Sequence, residues 1–192
     1  MQWLFCLFML LCLYTACSDS SVPDEKTIEN GFNYSREFSL FQAISQQDTD
    51  YAKELLENGA DPDKRPEHTG FLPLEIAETP AMVSLLLSYG ANPNLADRDG
   101  DTSLHHAVFK EEALPVIRLL VKAGADVNKK GRNEFTPLHL AVQRYIEHPD
   151  KKTSVEIIRF LAQAGADLNS QDEIGYTALM TAVVNDRPGL VE

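Results

Sequence analysis

The chain has 192 residues, 44% of them apolar and 24% charged, a balance that points to a globular protein with room for one domain and a short leader. With 29 acidic and 17 basic residues the formal net charge is −12, a field that repels phosphate backbones and disfavours general nucleic-acid binding. The longest apolar run, Trp3 to Tyr14, is twelve residues, short of the roughly 20 that a spanning helix needs.

In chain order, the first element is an address. Residues 1–16 carry no charged side chain, and after Cys17 the chain turns polar at Ser18-Asp19-Ser20-Ser21. A short apolar segment closed by small residues reads as an export signal that is removed; the alternative is a buried N-terminal helix. All three cysteines, Cys6, Cys12 and Cys17, fall in this stretch, so residues 18–192 have no disulfide framework and no thiolate metal site.

Leu13-Tyr14-Thr15-Ala16-Cys17 resembles the lipobox of bacterial lipoproteins, with Tyr14 where leucine is usual and no Lys or Arg ahead of the apolar core. The resemblance implies cleavage before Cys17, acylation of its thiol, and a chain held on a membrane by lipid. Ser18 then implies outer-membrane sorting towards the periplasm. Residues 17–36 read as the lipidated N-terminus and a flexible tether reaching roughly 25 Å. Cleavage by a general signal peptidase, giving a soluble secreted protein, is the competing outcome.

From residue 37 to 192 two patterns recur in phase. Gly-Ala-Asp/Asn begins at Gly59, Gly90, Gly124 and Gly165, and Leu-x-x-Ala runs from Leu40, Leu74, Leu104, Leu138 and Leu179, in steps of 34, 30, 34 and 41. In the fourth unit Thr136-Pro137 starts and caps a helix; the second unit has Leu72 in place of the threonine, and the first lacks a Thr-Pro start, as a capping unit would. A second apolar-periodic helix follows, as in Val155–Leu161, and a left-handed glycine such as Gly165 ends it. A polar hairpin then leads to the next unit. The spacing predicts a trimmed turn near Thr79-Pro80, a polar loop inserted over Tyr145–Ser154, and a different turn at Glu134, which stands where other hairpins have Gly70, Gly100 and Gly175. The last unit reaches Glu192 as its second helix would begin at Gly189-Leu190-Val191, either a short cap or a shortened unit.

Thr136-Pro137-Leu138-His139-Leu140-Ala141 with Gly165-Ala166-Asp167-Leu168-Asn169, and Thr102–Ala107 with Gly124–Asn128, resemble ankyrin repeats. The resemblance implies an all-α solenoid of about 4.5 helix-turn-helix units joined by β-hairpin loops. It also implies that His105 and His139 hydrogen-bond within and between units, and that proteins bind at hairpin tips and inner helices. Carried over, the tips are Lys64, Arg65, Arg98, Asp99, Lys129, Lys130, Arg132, Asn133, Gln171, Asp172 and Glu173, and the inner-helix positions are Phe109, Gln143, Arg144 and Tyr145. Exposed aromatic and arginine side chains are the usual anchors of such interfaces.

Chemistry-bearing motifs are missing from the sequence: it holds no Gly-rich phosphate loop, no nucleophile elbow and no His-Glu-x-x-His. Asp61, Asp63, Asp126 and Asp167 repeat with the hairpins and read as solvated loop charges. His105 and His106 point apart, and His68 and His148 have no spaced partner, so no metal, cofactor, small-molecule substrate or catalytic residue is assigned. Fifteen basic and 25 acidic residues leave −10 over residues 37–192, which suits a partner with a largely basic face, while Lys129, Lys130 and Arg132 form one basic knuckle. The reading is a non-enzymatic binding module exported to a bacterial envelope, similar to ankyrin-repeat lipoproteins that act as immunity proteins against an envelope-active effector. Two alternatives stay open: a periplasmic accessory protein that steadies a stress-defence enzyme, and a secreted host-interaction factor.

Overall fold

The computed structural model describes residues 36–66, 70–147 and 151–185. The leader, Cys17, the tether, His68, His148 and Gly189–Val191 lie outside them. Among the described residues every regular element except one 3₁₀ turn is an α-helix: α1 Arg36–Ser45, α2 Thr49–Glu57, α3 Pro73–Ile76, α4 Pro80–Ser88, α5 Ser103–Ala107, α6 Ala113–Lys122, α7 Pro137–Glu147, α8 Lys151–Gln163 and α9 Ala178–Val184. None is long and apolar enough to cross a membrane.

Helix starts follow local chemistry. Asp48 accepts the Tyr51 N–H at the head of α2, and Thr79 accepts the Met82 N–H ahead of Pro80 in α4. The ends of α2, α4, α6 and α8 share one device, in which the Gly-Ala alanine sends its N–H back to a carbonyl five residues earlier: Ala60 to Leu55, Ala91 to Leu86, Ala125 to Leu120 and Ala166 to Leu161. That bond requires the preceding residue to be left-handed, and Gly165, at φ 94°, takes the conformation without a Cβ penalty.

Packing gives a solenoid. The first helices α1, α3, α5, α7 and α9 contact one another in succession and form an inner row; the second helices α2, α4, α6 and α8 form an outer row against it. Leu40, Leu74, Leu104 and Leu138, with Ala43, Ala77, Ala107, Ala141 and Ala182, fill the seam between rows, the alanines letting neighbouring helices approach. The fifth unit differs: Leu179 is 52% exposed, because among the described residues no outer helix lies on α9.

Two loop expectations need revision. The inserted loop over 145–154 is helical at both sides, since α7 continues to Glu147 and α8 begins at Lys151. Gln143 to Glu147 contains no breaker and is tied by a Gln143–Glu147 side-chain bond of 2.9 Å. The hairpins are turns rather than ribbons, closed by single antiparallel bridges such as Ala96 with Thr102. Their carboxylates are exposed, as solvated charges are, and also lock the turns: Asp61, Asp126 and Asp167 each accept the N–H two residues on, at 2.9 Å. Asp63 accepts Asn92 N–H of the next unit.

Candidate protein interface

What positions the inner face is a set of side-chain bonds between units. The Thr102 N–H donates to His105 Nδ1 at 3.1 Å, and the Thr102 hydroxyl lies 2.9 Å from the same nitrogen. With Nδ1 accepting, the ring proton sits on Nε2 and donates to the Phe135 carbonyl of the next hairpin at 3.1 Å. His139 repeats this one unit on, reaching the Tyr176 carbonyl at 3.1 Å. At the tips, Asn94 and Asn128 donate to the Gly124 and Gly165 carbonyls and accept the Asp126 and Asp167 N–H groups. Hairpins and inner helices are thereby held in register.

A third ladder is absent from the sequence reading. Three residues after the signature alanine, Lys110 and Arg144 turn inward. Lys110 Nζ donates to the Glu75 and Ala77 carbonyls, and Arg144 Nη1 to those of Val108 and Lys110, at 2.7 and 3.3 Å. These cations close the ends of α3 and α5, where carbonyls lack helical partners. Burial pulls the Lys110 ammonium below the usual lysine range, against the pull of Glu78 and Glu75. The signal was legible: a long cation at one repeat position in two successive units.

Arg144 therefore leaves the set of groove-facing residues, being 6% exposed with its guanidinium on backbone carbonyls. Asp172 also leaves it. Its carboxylate is buried and accepts the Ile174 and Tyr176 N–H groups at 3.0 and 2.8 Å. Phe109 is 40% exposed, Tyr145 and Gln143 are half-buried, and Lys64, Arg98, Asp99, Lys129, Arg132, Asn133, Gln171 and Glu173 are exposed. Arg65 is half-buried and donates to the Gly70 and Ala96 carbonyls, tying two hairpins together.

The basic knuckle is partly neutralised in place. Lys130 Nζ lies 2.8 Å from Glu134 Oε2 and from the Gln171 carbonyl, and Arg132 is 3.7 Å from Asp99. Beneath it the turn departs from its siblings, as Glu134 implied: Asn133 and Glu134 are left-handed at φ 56° and 57°. Gly131 stands where other hairpins have Asp97 and Asp172 and brings no carboxylate to lock the turn; Asp101 of the preceding hairpin accepts the Arg132 N–H at 2.9 Å.

Apolar surface adds to these charges. Phe71 is 43% exposed and occupies the hairpin position of Phe135 and Tyr176, just before each unit's first helix; the sequence reading passed over it. Between α7 and α9, Phe135, His139, Gln143, Ile146, Glu147, Thr181 and Asn185 line a cleft of about 230 Å³, smaller than the roughly 300–1,000 Å³ of small-molecule sites and of a size for one or two side chains.

One titratable cluster lies between units 2 and 3. Glu75, Asp97 and His106 bring one ligand atom each within 4.8 Å of one another. Burial raises the Glu75 carboxyl above the usual range despite the Leu72 N–H and His106. Burial would raise Asp97 too, but His106 and backbone N–H groups hold it below the usual range.

Comparison with known proteins agrees with this architecture. A family model described as ankyrin repeats (3 copies) matches residues 40–131 and 75–150, and one for a single ankyrin repeat matches 133–173. Ankyrin repeat and SOCS box protein 16 of Homo sapiens is 38% identical over 101 residues, 52% of this chain and 22% of that protein. The B-cell lymphoma 3 protein homolog of Mus musculus is 36% identical over 117 residues, 59% of this chain and 26% of that protein. Neurogenic locus notch homolog protein 4 of Homo sapiens is 38% identical over 97 residues, 48% of this chain and 5% of that protein. The chain thus spans about a quarter or less of these relatives.

Proposed function

The chain belongs to the ankyrin-repeat family, a scaffold for protein–protein interaction, and on that footing we propose that it is an envelope-anchored binding module that occludes or positions another protein. The observation that carries the reading is exposed aromatic surface along the repeats: Phe71 and Tyr176 at hairpin positions, and Phe109 in the turn just after α5 and not on the helix itself. Aromatic anchors flanked by charge are what protein interfaces use for affinity and orientation. The partner presents a largely basic face to a stack of formal charge −10 and one acidic spot to Lys129, Lys130 and Arg132.

The lipobox-like Leu13–Cys17 supports acylation at Cys17, with the stack facing the periplasm on the tether. Mass spectrometry of the mature N-terminus tests this: a diacylated or triacylated Cys17 agrees, and an unmodified N-terminus beyond it means release. The narrower role is an immunity protein for an envelope-active effector, supported by the pairing of leader and repeats. Its signature is a one-to-one complex captured from membranes and a host that becomes sensitive to the effector when this chain is deleted. Unchanged resistance would reject it, and loss of an enzyme activity instead would favour the accessory role. Reversing Lys129, Lys130 and Arg132 to glutamate weakens the captured complex by about tenfold or more and alters its salt dependence; unchanged affinity rejects the knuckle as a contact.

A further inference from the structure

We propose that Glu75, Asp97 and His106 form a binding site for a single divalent transition-metal ion, zinc being the natural occupant. The three come from two units: Glu75 from α3, Asp97 from the following hairpin and His106 from α5. Each carboxylate has one oxygen fixed by backbone and the other turned to a common point. Glu75 Oε2 accepts the Leu72 N–H at 3.1 Å, and Asp97 Oδ1 accepts the Asp99 and Asp101 N–H groups at 2.8 and 2.9 Å. The remaining oxygens, Asp97 Oδ2 and Glu75 Oε1, lie 2.8 and 3.6 Å from His106 Nε2. Those separations bracket the edge of about 3.3 Å expected between ligands held ~2.0–2.1 Å from a tetrahedral ion. Backbone pinning of the outer oxygens is the outer-shell orientation that metal sites use.

A second observation points to a ligand. The Glu75 side chain is only 8% exposed; its Oε2 is held by the Leu72 N–H, while its Oε1 faces His106 Nε2 at 3.6 Å with no protein donor closer among the described residues. A carboxylate so largely withdrawn from water is costly to keep charged, and a cation at the common point offsets that cost. One imidazole and two carboxylates suit zinc, with the half-exposed His106 side leaving room for water as the fourth ligand. Calcium and magnesium prefer all-oxygen sets. Arg65 and Lys110 border the site, but both are engaged with backbone carbonyls.

The test uses the full chain, free of any affinity tag, titrated with Zn²⁺ and with Co²⁺ as a visible probe. One ion per chain, a Co²⁺ absorption of mixed nitrogen and oxygen ligation, and a melting temperature that rises with Zn²⁺ are expected. H106Q, D97N and E75Q each weaken binding by about tenfold or more, and D50N, at an exposed position in α2, leaves it unchanged. Anomalous scattering at the zinc edge from wild-type crystals places the ion among the three atoms, a readout that does not depend on the variants folding. No saturable binding, equal affinity in folded H106Q, or an ion located elsewhere overturns the proposal.

Discussion

Units 3 and 4 are joined differently from units 2 and 3. In the first joint a neutral histidine, His105, accepts its own unit's Thr102 N–H and donates to the next hairpin at Phe135, and His139 does the same one unit on. In the second, Glu75 holds that position; it accepts the Leu72 N–H as a histidine would but has no proton to pass forward. The junction is instead bridged by His106 of the next unit, whose Nε2 lies 3.6 Å from Glu75 and 2.8 Å from Asp97. A repeat position thus has two separable tasks, closing its own helix start and reaching its neighbour. A substitution that keeps only the first leaves a charged gap between units.

The largest effect should come from crowding the neutral joint. A Cβ on Gly131 would lie 2.0 Å from Asp101 Oδ1 and 3.0 Å from His105 Nε2. Gly131→Ala should therefore cost about 2–3 kcal/mol in urea unfolding. Gly90→Ala, with nothing within 4 Å of its Cβ, should cost only the left-handed strain of about 1–2 kcal/mol. Equal losses at the two glycines would remove the steric account of the joint.

His105→Ala leaves the Thr102 N–H and the Phe135 carbonyl short of partners, for a loss of about 2 kcal/mol. The same joint should respond to acid. Burial holds the His105 imidazole below its ordinary 6.5, against the attraction of Asp101. The unfolded chain then takes up the proton first, so this contribution is present above pH 6.5 and is lost as pH falls through the lower folded value. Glu75, raised above 4.5 by burial, acts with the opposite sign, gaining as pH falls towards 4.5. Replacing His105 by Gln should flatten the loss below pH 6.5 in a stability–pH series; an unchanged slope would place the sensitivity elsewhere.

The smallest effect is at the odd hairpin. Glu134 is left-handed where its siblings have glycine. Glu134→Gly should stabilise by about 0.5 kcal/mol, the relief of strain offset by loss of an exposed pair with Lys130. A clear destabilisation would mean that this pair matters more than its exposure suggests.

The units, their order and the odd turn at Glu134 were legible because they rest on local chemistry: glycine at positive φ, threonine and proline at helix starts, leucine and alanine on one face. Arg144 and Asp172 were misplaced because charge on a polar-looking segment reads as surface. Their partners are instead backbone groups: for Arg144, carbonyls 34 and 36 residues away, and for Asp172, the amides of its own turn. The Glu75–Asp97–His106 cluster escaped for a related reason. No spacing rule joins ligands drawn from two units, and only the stacking of α3 on α5 brings them together.

The central claim is that partners dock on the inner helices and hairpin tips. Amide hydrogen exchange on the complex captured from membranes tests it most directly. Protection concentrated in α5, α7 and the hairpins at 98–99, 129–133 and 171–173 is the predicted result. Protection on the outer helices α4, α6 and α8, with the inner row unchanged, would contradict it.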